Sequence, residues 1–276
     1  MSLALGIDVR EEGLRGVTVD EAGLVVARGA AGPGAGCIGF AVRDPLDAAL
    51  AVTVQDAAQQ SGVAATPRIV TRGAAVALAE QWCGAARGAG HVVALTLDDC
   101  VYAGVSIDGR PVEGAHGMAG AAAWLALNPV EREDYRKLGC LEAEIGTAGI
   151  VRRLVWRIKA GDHSRVLDAV GGNFEAITAA HVFDGARAGD GVAISVIRDT
   201  ARYVGMAVAN LVAIVDPDVM VLGGAIADAA DLLVDTARAE AVRRLPAALA
   251  NAVTIVSAAL GADAAPIGAA RAARHA

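Results

Sequence analysis

Each half of this chain opens on apolar strands and then alternates helix with strand, and that order restricts the fold more than any other feature. Leu3–Val9 reads as a buried strand, residues 16–20 as the second arm of a hairpin, and Leu24–Arg28 as a third strand. His91–Leu97 and Val101–Ile107 repeat the arrangement further on, with Asp108-Gly109 as a type I′ turn signal. Hydrophobic residues make up 55% of the chain and aromatics only 3%, so the core of such an α/β architecture has to be built from Ala, Val, Leu and Ile. The 276 residues suffice for two compact lobes or one large domain.

Helices fall between these strands. Asp44 and Pro45 suit an N-cap and first turn, which predicts a helix from there to about Ser61. Arg68–Thr71 reads as a strand and residues 74–84 as an alanine-rich helix. Residues 141–160 read as one helix with Arg152, Arg153, Arg157 and Lys159 on a face. Further helices are expected over 178–188 and 192–215, the second stopped by Asp216-Pro217. A strand at 219–222 ends on Gly223-Gly224, and helix 231–244, strand 253–257 and helix 264–273 follow. The glycine-rich stretch 29–39 is expected to be a mobile loop.

Composition sets aside several functions. The formal net charge is −7 and no Lys/Arg run stands out, which argues against direct nucleic-acid binding, although an acidic total leaves room for a local basic patch. No apolar run reaches the ~18 residues needed to cross a bilayer. Cys37, Cys83, Cys100 and Cys140 lie far apart with no CxxC pair, so they read as reduced thiols of a cytoplasmic protein rather than as a metal cluster.

Three segments, in order, carry a likeness to a known family. The first is Gly114-Ala115-His116-Gly117-Met118-Ala119-Gly120. The second runs from Ile177-Thr178 to Val182-Phe183-Asp184-Gly185-Ala186-Arg187-Ala188-Gly189-Asp190. The third is Asn210-Leu211-Val212 with Asp216-Pro217-Asp218-Val219-Met220-Val221-Leu222-Gly223-Gly224. Together they resemble the ROK family of repressors and sugar kinases, over nearly the whole chain. The resemblance implies an actin/hexokinase-like (ribonuclease H-like) α/β fold. Two lobes, 1–113 with 264–276 and 114–263, would enclose a cleft with sugar deep inside and nucleotide above. It also implies a homodimer.

The same resemblance shows where this chain departs from the family. The first phosphate loop, a glycine/threonine turn, is matched by Arg10-Glu11-Glu12-Gly13. At effective dielectric ~20 and ~4 Å, a carboxylate beside a phosphate oxygen costs about 4 kcal/mol. The alternative is that Glu11 and Glu12 are a solvated hairpin tip. The second, glycine-rich segment is matched by Thr96-Leu97-Asp98-Asp99-Cys100-Val101-Tyr102-Ala103-Gly104. Asp98-Asp99 alone offers too few oxygens for a hard cation.

The catalytic Asp is matched by Arg72, within Thr71-Arg72-Gly73-Ala74. A guanidinium that stays protonated cannot act as a general base. Arg72 either seals the former site by pairing with Asp98 or Asp99, or binds an anionic ligand such as a phosphosugar or a carboxylate. Ala121 matches a sugar-contacting Glu, Trp124 a zinc-binding His, and of three zinc cysteines only Cys140 remains, so zinc is not expected. Glu142 matches a carboxylate on sugar hydroxyls. Trp124 either stacks on a sugar ring or belongs to the core. His116 lies in the retained loop and reads as structural before catalytic. Asp8 matches a position used for Mg²⁺-linked contacts, and Gly223-Gly224 an adenosine contact or a strand–helix turn.

Both phosphate loops, the base and the zinc site therefore depart together. The expectation is a catalytically inactive sugar-kinase-like protein that senses a sugar or sugar phosphate or serves as a scaffold, with no cofactor. One alternative is an active kinase using ATP and Mg²⁺, with Asp98 or Asp99 as base. The other is the effector domain of a repressor. The family's repressors carry a winged helix-turn-helix ahead of the kinase-like part, and none fits before Leu5, so this alternative requires the chain to be a piece of a longer protein.

Overall fold

The computed structural model describes residues 2–32, 34–98 and 100–275. Its first sheet has the order β3-β2-β1-β4-β5, with β1 Leu3–Arg10, β2 Gly13–Val19, β3 Val25–Arg28, β4 Ala35–Val42 and β5 Arg68–Thr71. The second has the order β10-β9-β6-β7-β8, with β6 His91–Leu97, β7 Val101–Ile107, β8 Arg110–Pro111, β9 Val219–Gly224 and β10 Thr254–Ser257. In both, a hairpin is followed by parallel strands; β5, β9 and β10 arrive after helices, whereas β4 follows β3 through a short loop. The hairpin β6–β7, expected on the N-terminal side of the lobe boundary, pairs with the strands of the C-terminal part.

The helices α1 Ala48–Gln60, α2 Arg72–Cys83, α3 Glu133–Leu138, α4 Cys140–Ile145, α5 Thr147–Lys159, α6 Arg165–Ala169, α7 Ala179–Arg187, α8 Gly191–Val215, α9 Ala225–Asp228, α10 Ala230–Arg244, α11 Ala247–Ala252 and α12 Ala264–Ala273 fill the remaining layers. Strand side chains alternate between faces, and each sheet uses both. In β1, Leu5, Ile7 and Val9 pack outward with Ile38, Phe40 and Val42 of β4 against Val54 and Ala57 of α1. Ala4 faces inward, toward α2 and α12. In β6, Val92 and Ala94 face that same inner layer, while Val93, Leu95 and Leu97 face the C-terminal helices.

The two sheets thus share a middle layer of α2 and α12, built largely from alanine. Small side chains let a helix lie between two sheets without forcing them apart.

Three expectations are corrected. The stretch expected to be a mobile loop contains β4, an interior strand between β1 and β5. Gly39 answers a packing demand, because a Cβ there would lie 1.9 Å from the Ala269 carbonyl oxygen of α12. The helix expected at Asp44 starts at Ala48 with Asp47 as its N-cap, while Asp44 accepts the Leu46 N–H in a preceding turn. The single helix expected over 141–160 breaks at Gly146, whose extended backbone separates α4 from α5. The Asp108-Gly109 turn has positive φ at both residues, 50° and 75°, as a type I′ turn requires. No helix among the described residues is long and apolar enough to cross a membrane.

Candidate functional site

Strand β5 ends at Thr71, whose hydroxyl accepts the Ala74 N–H at 3.2 Å and caps α2. Arg72 is therefore the first residue of α2, and its side chain turns back toward β1. It is 2% exposed and Asp8 is 0% exposed. The Arg72 Nε donates to Asp8 Oδ1 at 2.9 Å and its Nη2 to the Val9 carbonyl at 2.8 Å. The Arg72 guanidinium also lies 5.7 Å from the centre of the Tyr102 ring.

The other oxygen of Asp8 is taken by Arg10, whose Nε donates to Oδ2 at 2.6 Å. The Arg10 Nη2 continues to Asp98 Oδ2 at 2.8 Å. Burial works against the Arg10 charge, but the hydrogen bonds and charges of Asp8 and Asp98 outweigh it and hold the guanidinium above its ordinary range. Burial, aided by Asp98, pushes the Tyr102 phenol up. Arg72 is thus sealed in by an ion pair with Asp8, and Asp98, one of the two partners expected for it, pairs with Arg10. Asp99 lies outside the described residues. Glu11 and Glu12 form the exposed tip of the β1–β2 hairpin, where Glu11 meets Arg43 at 3.5 Å.

Two hollows flank this ion cluster and share Tyr102 as a common wall. The smaller, of about 230 Å³, lies between the start of α2, β7, the 118–124 segment and α4. Arg72, Trp124 and Glu142 line it. Trp124 is 56% exposed, so it stands at the mouth of this hollow and is no core residue. Glu142 comes from α4, and its Oε2 accepts the Val101 N–H at 3.1 Å, which fixes the carboxylate against β7. His116 is exposed and does not line the hollow. Cys140 packs with Tyr135 and Ala143. Among the described residues no group of three His, Cys, Asp or Glu is placed to hold a metal ion.

The larger hollow, of about 660 Å³, is lined by Arg10, Glu12, Asp98, Gly223, Gly224 and the 258–265 segment, among others. A Cβ at Gly224 would lie 2.0 Å from the Leu97 carbonyl oxygen, so packing against β6 already requires glycine there. Thr96 lines the same hollow, and its buried hydroxyl has no hydrogen-bond partner among the described residues.

Two hollows stacked along a shared wall, on two sheets that bury a common helical layer, describe a two-compartment cleft. The ROK family model matches residues 62–276. The chain belongs to the ROK family. It is 30% identical over 197 residues to the glucokinase of Thermotoga maritima, a match covering 71% of this chain and 62% of that protein. It therefore spans less than two thirds of that relative's length.

Two solved structures share the fold throughout. One is a ROK family glucokinase from Streptomyces griseus in complex with glucose and AMPPNP, with TM-score 0.80, 22% identity and all of both chains covered. The other is a ROK family transcriptional regulator homologous to the Escherichia coli MLC protein, with TM-score 0.81 and 19% identity, covering 99% of this chain and 78% of the regulator. These likenesses establish the actin/hexokinase-like architecture of this ROK protein.

The Arg10 grip on Asp8 was missed in the sequence. A signal for it existed, since residues two apart on a strand point to the same face, which sets Asp8 beside Arg10.

Proposed function

We propose that this ROK protein binds a sugar in the smaller hollow without phosphorylating it, and acts as a sensing or scaffold subunit. The observation that carries this reading is Arg72. It occupies the position the family gives to the general base, and it is buried and ion-paired with Asp8. A guanidinium held in this way cannot take a proton from a sugar hydroxyl.

The residues around the larger hollow do not suit a Mg²⁺–triphosphate. Two arginines line this hollow: Arg10 is committed to Asp8 and Asp98, and Arg15 faces the negative charge that Glu12, Asp98 and Asp228 supply to the walls. Phosphoryl transfer depends on positioning and charge stabilisation, so this charge pattern works against it. Glu142 and Trp124 remain in place for a neutral ring, one to accept from hydroxyls and the other to stack. The Arg72 charge is engaged inside the protein, which favours a neutral sugar over a sugar phosphate here. Four free thiols support a cytoplasmic setting, and family likeness supports a homodimer.

The likeness to a ROK regulator supports a second reading, the effector domain of a repressor. An active kinase with Asp98 as base is less well supported, because Asp98 lines the larger hollow and is held by Arg10. Thermal melting with ATP–Mg²⁺, with neutral sugars and with sugar phosphates tests the proposal, run beside a phosphorylation assay on the same panel. The expected result is a shift with a neutral sugar and no turnover. ATP-dependent turnover that is lost in Asp8→Asn overturns it.

A further inference from the structure

The helical layer of the second sheet contains another charged hollow, of about 590 Å³, which shares no lining residue with the two hollows of the cleft. Five of its walls are arginines, contributed by the 128–132 segment, α5, α8 and the end of α10. Glu144 is shared by Arg132 at 3.5 Å and Arg153 at 3.1 Å. Glu240 is shared by Arg243 at 2.5 Å and Arg244 at 2.6 Å. Asp199 takes Arg202 at 3.2 Å. Five guanidinium groups and three carboxylates line the hollow; Arg132 also reaches Asp134 at 3.2 Å just outside it, where Arg152 pairs with the same carboxylate, so two positive charges are in surplus among these groups.

This surplus stands in a chain whose net charge is −7, so it is local and not a reflection of composition. Burial alone would raise Glu240, but its two arginines outweigh it and hold the carboxyl below its usual range. Burial lowers Arg153, against the pull of Glu144. The Tyr203 hydroxyl and the Asn128 amide add neutral polar groups to the walls. Arginine keeps its charge at every working pH and presents paired N–H groups that match a phosphate in geometry.

We propose that this hollow is a binding site for a phosphate group, either free or carried as an ester on a small metabolite. Helix α4 carries Glu142 into the cleft and Glu144 into this hollow, so the two sites share one short element. The phosphate site does not depend on the sugar reading, and the variants that test it lie outside the cleft, so a signal they leave intact belongs elsewhere.

The test is isothermal titration of the purified protein with inorganic phosphate and with glucose 6-phosphate, beside glucose as the uncharged reference. The variants are the pair Arg202→Gln and Arg243→Gln, with Arg28→Gln as a control on a remote surface pair. Arg243 is 69% exposed at its side chain and Glu240 keeps Arg244, so the pair folds, which circular dichroism verifies. Binding of either phosphate that weakens at least about tenfold in the paired variant and is unchanged in Arg28→Gln supports the site. Equal strength for the two ligands assigns it to free phosphate, and tighter binding of the ester assigns it to a phosphorylated metabolite. Absence of phosphate binding, or binding that the paired variant leaves intact, overturns the proposal.

Discussion

The two hollows of the cleft share the Tyr102 wall, yet charge has been handled in opposite ways on its two sides. On the side that the proposed reading gives to sugar, Arg72 is withdrawn into the protein and paired with Asp8, leaving a small hollow with Glu142 and Trp124 at its edge. On the side that the same reading gives to nucleotide, Arg10 is bound to Asp8 and Asp98, and the carboxylates of Glu12 and Asp228 face the hollow together with Arg15. Under the proposed reading architecture and chemistry have separated: the sheets and the middle helical layer preserve a cleft, while the charges within it serve the fold.

The strongest test of that contrast is Arg72→Ala. Removing one partner of a buried pair leaves an uncompensated charge, which costs about 3–5 kcal/mol. The expected loss is about 3 kcal/mol, because Arg10 stays on Asp8. For a chain of this size that is roughly 6–12 °C in melting temperature. Replacing both partners, with Arg72→Met and Asp8→Leu, is expected to recover more than half of it. A single variant that melts with the parent protein would mean that Arg72 is not a structural ion pair, and the contrast between the two sides would collapse.

Much of this could be read from the chain and some could not. The strands at 3–10, 68–71 and 91–107 were legible because apolar runs end at turn residues, and α12 was bounded correctly as Ala264–Ala273. Strand β4 was hidden by its glycines. A glycine required by a helix 230 residues further along looks locally like any loop glycine, and only the approach of Ala269 distinguishes them. That Arg72 departs from the family's pattern was legible from its residue type. Its ion pair with Asp8 was not, since Asp8 lies 64 residues away and long-range pairing leaves no local pattern. The exposure of Trp124 was also hidden, because a tryptophan amid alanines reads as core until the 3₁₀ turn Ala122–Trp124 places it.

A middle-sized effect comes from restoring the first loop with Arg10→Gly, Glu11→Gly and Glu12→Thr together. Asp8 keeps Arg72, and Asp98, partly exposed, regains water, so the stability cost is about 1–2 kcal/mol. With the loop carboxylates gone, ATP–Mg²⁺ is expected to bind at least about tenfold more tightly than to the parent. Titration calorimetry measures it, and the sugar-induced melting shift should stay as it was. Parent-level ATP affinity in this variant would show that the loop charges are not what closes the nucleotide side.

The smallest effect on stability, and the sharpest on the sugar side, is expected from Trp124→Ala. The side chain is exposed at the mouth of the smaller hollow, so its removal leaves the core untouched and changes stability by no more than about 0.5 kcal/mol. Stacking an aromatic ring on a ligand is worth about 0.5–1.5 kcal/mol beyond area, so sugar binding should weaken several-fold. Glu142→Gln separates the two contributions. It keeps an oxygen for Val101 but removes the charge that strengthens bonds from sugar hydroxyls. If Trp124→Ala leaves the sugar shift intact while Glu142→Gln abolishes it, the ring is held by hydrogen bonds alone. If both leave it intact, sugar binds elsewhere, and the cleft has become as silent on the sugar side as on the nucleotide side.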